Sequence, residues 1–166
     1  MSIDGLADQD IVIERVFDAP RDLVFKAWTE PERVMQWWGP KGFTSPACTI
    51  DLRSGGVWYS AMRSPDGQDF WSKGVYREVV PPARLVTTDQ FSDPQGNVVE
   101  PTQYGMSAEW PREALITLTF DDLAGKTKLA VRHAVGSAPA KEREMCEQGW
   151  SESLDKLADY LAAARP

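Results

Sequence analysis

The chain has 166 residues, of which 42% are hydrophobic and 26% charged, and it carries a formal net charge of −7 at pH 7. This length suits one domain with a substantial core, and the composition excludes a disordered or fibrous protein. Because Lys and Arg do not cluster, whereas proteins that track phosphates need a basic patch, we expect neither nucleic acid nor an anionic membrane as a partner.

The N-terminal part of the chain predicts one strand and one short helix. Residues 1–9 are polar and are expected to form a flexible tail. From Ile11 to Phe17 apolar and polar residues largely alternate, which indicates a strand. The following Asp18-Ala19-Pro20 predicts a helix start, with Asp18 as the N-cap and Pro20 near the first helical position.

A second short helix is predicted after Thr29-Glu30-Pro31-Glu32, in which Thr29 and Glu32 have the spacing of a capping box. It ends at Trp37-Trp38-Gly39-Pro40, the most distinctive tetrapeptide of the chain. Adjacent tryptophans in this position could wall the open end of a pocket. Alternatively, one fills the core while the other shields a loop, and we favour this structural role for at least one of them.

Six further strands are predicted between Phe43 and Val135, separated by turns rich in Gly, Pro and Asp. Their predicted bounds are 43–52, 57–63, 70–80, 85–91, 114–120 and 126–135. Residues 98–113 form a looser stretch, and the last turn is expected at Asp121-Asp122-Leu123-Ala124-Gly125. Short strands at hairpin spacing, with no helix between them, predict an antiparallel sheet rather than βαβ units.

A long amphipathic helix is predicted from about residue 140 to residue 164, after Gly136-Ser137-Ala138-Pro139. Its apolar stripe recurs at steps of four, three and four, at Trp150, Leu154, Leu157 and Leu161. This helix is the only predicted element large enough to cover one face of the sheet. A strongly twisted sheet that grips one helix closes at one end and gapes at the other. We therefore predict a single α+β domain over residues 10–164, with a ligand pocket in that gap.

His133 is the only histidine and the one candidate for acid–base chemistry. On its predicted strand it shares a face with Leu129, Val131 and Val135, the face expected to meet the helix. A buried imidazole there could act as a general base or hold a polar ligand atom, since its pKa lies near neutrality and shifts with burial. The more conservative interpretation, which we favour, is a core histidine satisfied by one hydrogen bond, or a shift in strand pairing that turns the side chain outward.

Other chemical sites are not indicated, so we predict no metal and no cofactor. One histidine with the distant Cys48 and Cys146 does not form a recognisable zinc or iron site. Cys48 or a serine could pair with His133 as a nucleophile, but no motif supports that pairing. Neither a Gly-x-Ser-x-Gly elbow nor a phosphate-binding glycine pattern occurs. Glu142 is expected on the wet side of the long helix.

The sequence also predicts a cytoplasmic location. The first residues lack the basic start and the apolar stretch of a signal peptide, and no run approaches the ~20 apolar residues of a membrane span. Two distant cysteines make a weak case for a disulfide framework.

Six motifs occur in a specific order along nearly the whole chain. They are Arg15-Val16-Phe17-Asp18-Ala19-Pro20, Trp28-Thr29-Glu30-Pro31-Glu32, Trp37-Trp38-Gly39-Pro40, Gly55-Gly56, Gly74-Val75-Tyr76-Arg77-Glu78 and Gly149-Trp150-x-x-x-Leu154-x-x-Leu157. This ordered set resembles the family of activators of heat-shock-protein ATPase, which belongs to the START-like (SRPBCC) superfamily. The resemblance implies the helix-grip fold: a seven-stranded antiparallel sheet curved around a long C-terminal helix, with a deep cavity between them.

What the resemblance implies about function is broader. The eukaryotic co-chaperones of this family stimulate the ATPase of a heat-shock chaperone, which implies a role in the stress response, and they carry a further N-terminal domain. The wider superfamily binds lipids, sterols and polyketides, and it includes cyclases. No catalytic motif of the family maps onto this sequence, so the resemblance assigns no catalytic residue.

Three functional hypotheses follow. The first is the binding of a small, mainly apolar molecule in a cavity, because ligand sites are mostly apolar concavities with a few polar groups. The second is a cofactor-free cyclase or dehydratase with His133 as base. The third is an interaction module that acts on a chaperone, and a second copy of the chain is a further candidate partner. The candidate lining residues are Trp38, Trp58, Met62, Trp71, Tyr76, Phe91, Phe120, His133 and Trp150.

Overall fold

Seven antiparallel strands form one sheet in the computed structural model, which describes residues 10–136 and 138–164. The strands are β1 (Ile11–Phe17), β2 (Thr44–Ile50), β3 (Val57–Arg63), β4 (Asp69–Val80), β5 (Arg84–Ser92), β6 (Ala114–Leu123) and β7 (Lys126–Ala134). Their order across the sheet is β1-β7-β6-β5-β4-β3-β2, so the first strand pairs with the last. The tail predicted at residues 1–9 lies outside the described residues, as does Ser137 of the predicted helix start.

Three α-helices accompany this sheet within the described residues. They are α1 (Arg21–Thr29), α2 (Pro31–Trp37) and α3 (Ala140–Ala164), and a short 3-10 helix (Pro101–Tyr104) lies in the stretch between β5 and β6. The two short helices connect β1 to β2, and the long helix follows the last strand. The α+β helix-grip fold predicted from the sequence is therefore confirmed.

Neither short helix begins with the side-chain cap that the sequence predicted. The N-cap position of α1 is Pro20 rather than Asp18, and no side chain caps the helix. The N-cap position of α2 is Glu30, again without a side-chain cap. Thr29 is the last residue of α1, and its hydroxyl donates to the carbonyl of Phe25 at 2.9 Å. The capping box does not form because α1 extends to Thr29, so that Glu30 rather than Thr29 occupies the N-cap position of α2.

The hairpin between β6 and β7 is tighter than predicted. Asp121 and Asp122 belong to β6 instead of the turn, and only Ala124 and Gly125 connect the strands. These two residues have positive φ angles, 52° and 90°, as a two-residue hairpin loop with the twist of the sheet requires. The carboxylate of Asp122 accepts the backbone N–H of Gly125 at 3.1 Å and so supports the turn.

The long helix α3 covers one face of the sheet with the predicted stripe. Trp150, Leu154, Leu157 and Leu161 are all buried in the core. At the β1 edge, Arg15 donates to Asp155 of α3 at 2.8 Å. On the other side, the ammonium of Lys156 donates to the carbonyl of Phe43 at 2.8 Å. Hydrogen bonds on both sides of α3 thus fix its position across the sheet.

The sheet bends around α3 because two strand pairs are irregular. The register between β2 and β3 shifts between Thr44 and Ala47, and the register between β4 and β5 shifts between Tyr76 and Glu78. Bulges of this kind bend a strand and increase its local twist. The resulting curvature separates the middle of the sheet from the first turns of α3.

Candidate functional site

A cavity of about 590 Å³ lies in this gap, between the sheet and α3. Side chains at every second position face it, such as Trp58, Ser60 and Met62 on β3. This spacing follows from the period of two of a strand, which places alternate side chains on one face. Most of the lining is aromatic or aliphatic, and the volume is within the range of small-molecule sites, ~300–1,000 Å³.

Seven of the nine lining residues proposed from the sequence border this cavity. They are Trp38, Trp58, Met62, Tyr76, Phe91, His133 and Trp150. The structure brings them together from β3, β4, β5, β7, α3 and the end of α2.

Trp71 and Phe120 lie elsewhere. Trp71 alternates along β4 with Phe70 and Ser72, which both line the cavity. Its ring therefore faces the opposite side of the sheet, where it stacks on Tyr59 with a centroid distance of 4.9 Å. Phe120 is completely buried beyond the end of the cavity, and its ring contacts Phe25 of α1 at 5.3 Å.

The structure adds lining residues that the sequence reasoning missed. The most consequential is Asp89, the one acidic side chain that a strand contributes to the lining in the described part of the chain. It lies two residues before Phe91 on β5, and Leu85 and Thr87 continue the same face. Because Phe91 was already assigned to the pocket, the period of two could have identified Asp89.

His133 is held in one orientation by Trp150. The indole Nε1–H of Trp150 donates to Nδ1 of His133 at 3.1 Å, and the histidine side chain is 4% exposed. A neutral imidazole has one nitrogen that accepts and one that donates. Since Nδ1 accepts, this hydrogen bond assigns the proton to Nε2. It also occupies the lone pair that a general base would use.

Asp89 faces the other nitrogen of this ring. Its Oδ2 lies 3.6 Å from Nε2 of His133, which is too long for a hydrogen bond. Burial raises the pKa of Asp89 to about 7 and lowers the pKa of His133 to about 4. Both shifts favour the uncharged forms, since desolvation penalises charge. Near neutral pH, His133 is therefore uncharged and Asp89 is close to its midpoint.

Both cysteines line the cavity as thiols. The sulfur of Cys146, rather than that of Cys48, approaches His133, at 3.7 Å from Nδ1. Burial raises the pKa of Cys146 to about 12 and that of Cys48 to about 11. Because the thiolate is the nucleophilic form, neither cysteine is activated near neutral pH.

Tryptophans form one end of the cavity. The ring of Trp150 stacks on Trp28 with a centroid distance of 6.1 Å and meets Trp38 edge to face at 5.6 Å. Trp37 is 1% exposed and donates its Nε1–H to the carbonyl of Ala27 at 3.0 Å. The adjacent tryptophans thus divide the two roles that the sequence left open: Trp37 fills the core, and Trp38 lines the cavity.

Two of these tryptophans carry unused donors. The Nε1–H groups of Trp28 and Trp38 are buried and have no hydrogen-bond partner among the described residues. Both residues line the cavity. Buried donors are nearly always paired in folded proteins, so these two groups favour an occupant that contributes a hydrogen-bond acceptor.

The cavity reaches the surface beside the first turns of α3. Met145 lines it and is 63% exposed. Next to it, Glu142 accepts two hydrogen bonds from Ser107, one from the backbone N–H at 2.8 Å and one from the hydroxyl at 3.0 Å. The sequence predicted that Glu142 would be solvated on the wet side of α3, whereas in the structure it is hydrogen-bonded to Ser107. It connects α3 to the loop that follows the 3-10 helix.

Eight titratable side chains among the described residues line the cavity. They are Cys48, Tyr76, Asp89, Tyr104, His133, Lys141, Glu142 and Cys146. Among residues 10–136 and 138–164, no three His, Cys, Asp or Glu side chains are grouped in a way that could hold a metal ion. In the same part of the chain, no helix has both the length and the apolar character needed to cross a membrane.

A curved antiparallel sheet, a long helix across it and a mainly apolar cavity between them define a helix-grip, START-like protein. Comparison with protein families agrees, since the family described as "Activator of Hsp90 ATPase homolog 1-like protein" matches residues 18–162. The chain therefore belongs to this family. Comparison with curated proteins gives no significant match.

Solved structures share the fold over nearly the whole chain. A protein from Chromobacterium violaceum is 28% identical with a TM-score of 0.73, and the match covers 93% of this chain and 97% of that one. The AHSA1 protein from Silicibacter pomeroyi is 26% identical with a TM-score of 0.74, covering 94% and 99%. A protein from Arthrobacter aurescens is 20% identical with a TM-score of 0.76, covering 98% and 90%, and this likeness concerns the fold alone.

Proposed function

We propose that the protein binds a small, mainly apolar molecule, such as a lipid, a sterol or an aromatic polyketide, in the cavity between the sheet and α3. The observation that carries the proposal is the volume of about 590 Å³ lined mostly by aromatic and aliphatic side chains. A ligand that fills the cavity removes apolar surface from water, which stabilises the complex by about 25 cal/mol per Å² of buried surface. The aromatic end formed by Trp28, Trp38 and Trp150 favours flat or ring-containing molecules, since aromatic groups pack well by stacking and edge contacts.

Native mass spectrometry followed by a thermal-shift screen tests this function. The purified protein is first examined for any co-purified small molecule, and then heated with panels of lipids, sterols and aromatic polyketides. A ligand at a hundred times its dissociation constant adds ~2.7 kcal/mol to the free energy of unfolding, which for a domain of this size raises Tm by about 5–10 °C. A shift confined to one chemical group supports the proposal. No shift from any panel, together with no co-purified mass, contradicts it.

A second candidate function is the stimulation of a chaperone ATPase. The family description, with its reference to the Hsp90 ATPase, favours it. The test is the ATPase rate of a purified Hsp90-type chaperone with increasing amounts of this protein. An unchanged rate at saturating protein, measured beside a known activator as positive control, rejects this function.

A third candidate is cofactor-free catalysis, as in a cyclase or dehydratase. The observation that bears on it is the Asp89–His133 pair in the cavity wall. The hydrogen bond from Trp150 disfavours His133 as a base, so Asp89, whose pKa burial raises to about 7, is the better proton acceptor of the two. Turnover that survives in Asp89→Asn would remove this role from Asp89.

A further inference from the structure

The polar part of the cavity wall begins with a buried donor. Nε2 of His133 has no hydrogen-bond partner among the described residues, and its side chain is 4% exposed. Because Trp150 donates to Nδ1, the hydrogen of the neutral ring lies on Nε2. An unpaired buried donor destabilises the structure, so this N–H favours an acceptor atom in the cavity.

A second polar group faces the same point. Oδ2 of Asp89 lies 3.6 Å from this Nε2, and both residues line the cavity. An oxygen atom placed beside the pair can lie at hydrogen-bond distance, ~2.8–2.9 Å, from both atoms at once. The two residues come from β5 and β7, which both pair with β6, so the rigid sheet sets their spacing.

The protonation state of Asp89 decides which ligand group fits. Burial raises the pKa of Asp89 to about 7, and a ligand that displaces water from the cavity extends that burial. The titratable groups nearest the pair do not oppose this. Cys146 on α3 is a neutral thiol, and Asp10, ahead of β1, is paired with Arg132 at 2.8 Å. The acid form of Asp89, which burial favours, donates a hydrogen bond to the ligand.

We propose that His133 Nε2–H and the carboxyl group of Asp89 form a carbonyl-recognition site, so that the ligand is an apolar molecule with a ketone, aldehyde or ester oxygen at this point. The inference rests on the proposed function and names the ligand class for the same cavity. A carbonyl oxygen has two lone pairs and no hydrogen, so it accepts both donors and leaves nothing unpaired. A ligand hydroxyl that accepts both hydrogen bonds needs a further acceptor for its own hydrogen, and a ligand carboxylate would bury a charge.

Two matched compounds test the inference. 2-Acetylnaphthalene and 2-ethylnaphthalene have nearly the same shape, and only the first has a carbonyl. Equilibrium dialysis gives both dissociation constants for the wild type, for Asp89→Leu and for Asp89→Asn, with Trp71→Phe as a control on the opposite face of the sheet. The quantity compared is the dissociation constant of 2-ethylnaphthalene divided by that of 2-acetylnaphthalene, because this ratio cancels changes in general packing.

We expect this ratio to fall at least tenfold from the wild type to Asp89→Leu, which is about 1.4 kcal/mol. Asp89→Asn, which keeps an N–H donor, and Trp71→Phe are expected to stay within threefold of the wild type. The carbonyl infrared band of bound 2-acetylnaphthalene should also lie at lower wavenumber in the wild type than in Asp89→Leu, because hydrogen bonding weakens the carbonyl bond.

The results separate this inference from the proposed function. If both compounds bind and the ratio is the same in the wild type and Asp89→Leu, the carbonyl site is rejected while the apolar cavity remains a binding site. Tighter binding of 1-(2-naphthyl)ethanol than of the ketone to the wild type, lost in Asp89→Leu, would make Asp89 an acceptor and also reject the carbonyl site. If neither naphthalene binds to the wild type, the proposed function fails for ligands of this size, and the carbonyl site fails with it.

Discussion

The indole N–H of Trp150 donates to Nδ1 of His133 over 3.1 Å, and this contact joins the long helix to the last strand at the cavity wall. It fixes the tautomer of the only histidine in the chain. A histidine that the sequence offered as a base is thereby turned into a donor toward the cavity, because its accepting nitrogen is already used.

Trp150→Phe is expected to allow both neutral tautomers of His133. The variant keeps an aromatic ring beside Trp28 but removes the N–H, so the Nδ1 acceptor of His133 loses its partner. The free energy of unfolding should fall by about 1–2 kcal/mol in urea denaturation. In the wild type, imidazole ¹⁵N spectra should show one protonated nitrogen, Nε2, and the variant should show a mixture of tautomers.

The single histidine makes this measurement unambiguous. Trp71→Phe, on the opposite face of the sheet, serves as the control and should leave both imidazole ¹⁵N shifts unchanged. Wild-type spectra that place the proton on Nδ1 would contradict the assignment and the donor role of Nε2 with it.

Asp89→Asn is expected to change how stability depends on pH. In the native protein the pKa of Asp89 is about 7, against an ordinary value of 3.8. Between these values the native state holds a proton that the unfolded chain has released, so the contribution of Asp89 to stability falls as pH rises through this window. Relative to the wild type, the asparagine variant should gain on the order of 1–3 kcal/mol between pH 4 and pH 8.

Urea denaturation of both proteins at four pH values between 4 and 8 measures this gain. His133 acts with the opposite sign, since its pKa is lowered from 6.5 to about 4 and its contribution rises with pH across that window. His133 is present in both proteins, as are Cys146 and the Asp10–Arg132 pair, so their contributions largely cancel in the difference. A difference that stays constant with pH would show that Asp89 is ionised normally.

Substitution by alanine at Gly74 and at Gly149 is expected to have opposite effects on the free energy of unfolding. A Cβ at Gly74 would overlap with the carbonyl oxygen of Thr88 and with Nε1 of Trp58. Trp58 also donates to the hydroxyl of Thr87 at 2.6 Å, so it cannot move away freely. Gly74→Ala should therefore lower the free energy of unfolding by about 3 kcal/mol.

Gly149→Ala should be neutral or stabilising. Gly149 lies inside α3, where its added Cβ would meet only Pro40, at an ordinary contact distance of 3.6 Å. Alanine in a helix interior is favoured over glycine by about 0.5–1 kcal/mol. Thermal unfolding of Gly74→Ala, Gly149→Ala and the wild type measures both changes in stability. Equal losses at both positions would mean that the close packing of Trp58 over Gly74 is not what requires glycine there.

The sequence predicted the fold well because the fold depends on periodicity. The shared face of Trp58, Ser60 and Met62 on β3 and the apolar stripe of α3 follow from short-range patterns, and the structure places the first at the cavity and the second in the core. The same rule shows why Trp71 is not at the cavity: it is five positions from Tyr76, an odd number, so both cannot face one side of a regular strand. Phe120 is on the cavity-facing side of β6, but its depth along the strand depends on where α1 packs.

The polar part of the site was less accessible to sequence reasoning. Asp89 could be placed on a face of β5, but its distance of 3.6 Å from His133 depends on how β5, β6 and β7 pair. The contact between Trp150 and His133 depends on the axial position of α3 over the sheet. Neither quantity has a local signature, since both arise from packing between elements that are distant in the chain.

Trp38→Phe should weaken ligand binding, whereas Trp71→Phe should not. Both substitutions replace an indole by a smaller phenyl ring. Trp38, however, lines the cavity, whereas Trp71 stacks on Tyr59 on the opposite face of the sheet. Loss of apolar contact at Trp38 should cost about 1–2 kcal/mol of binding free energy, or roughly five- to thirtyfold in affinity. The wholly apolar probe 2-ethylnaphthalene, measured by equilibrium dialysis, isolates this packing effect from any hydrogen bond.

Thermal unfolding of both variants without ligand separates binding from stability. Trp38 also contacts Trp28 and Trp37 edge to face, so Trp38→Phe is expected to lower Tm by a few degrees, as is Trp71→Phe through its loss of stacking. Similar losses of Tm with a loss of affinity in Trp38→Phe alone would place the ligand against the tryptophan end of the cavity. Equal affinities in both variants would instead indicate that the ligand lies near Met145, where the cavity meets the surface.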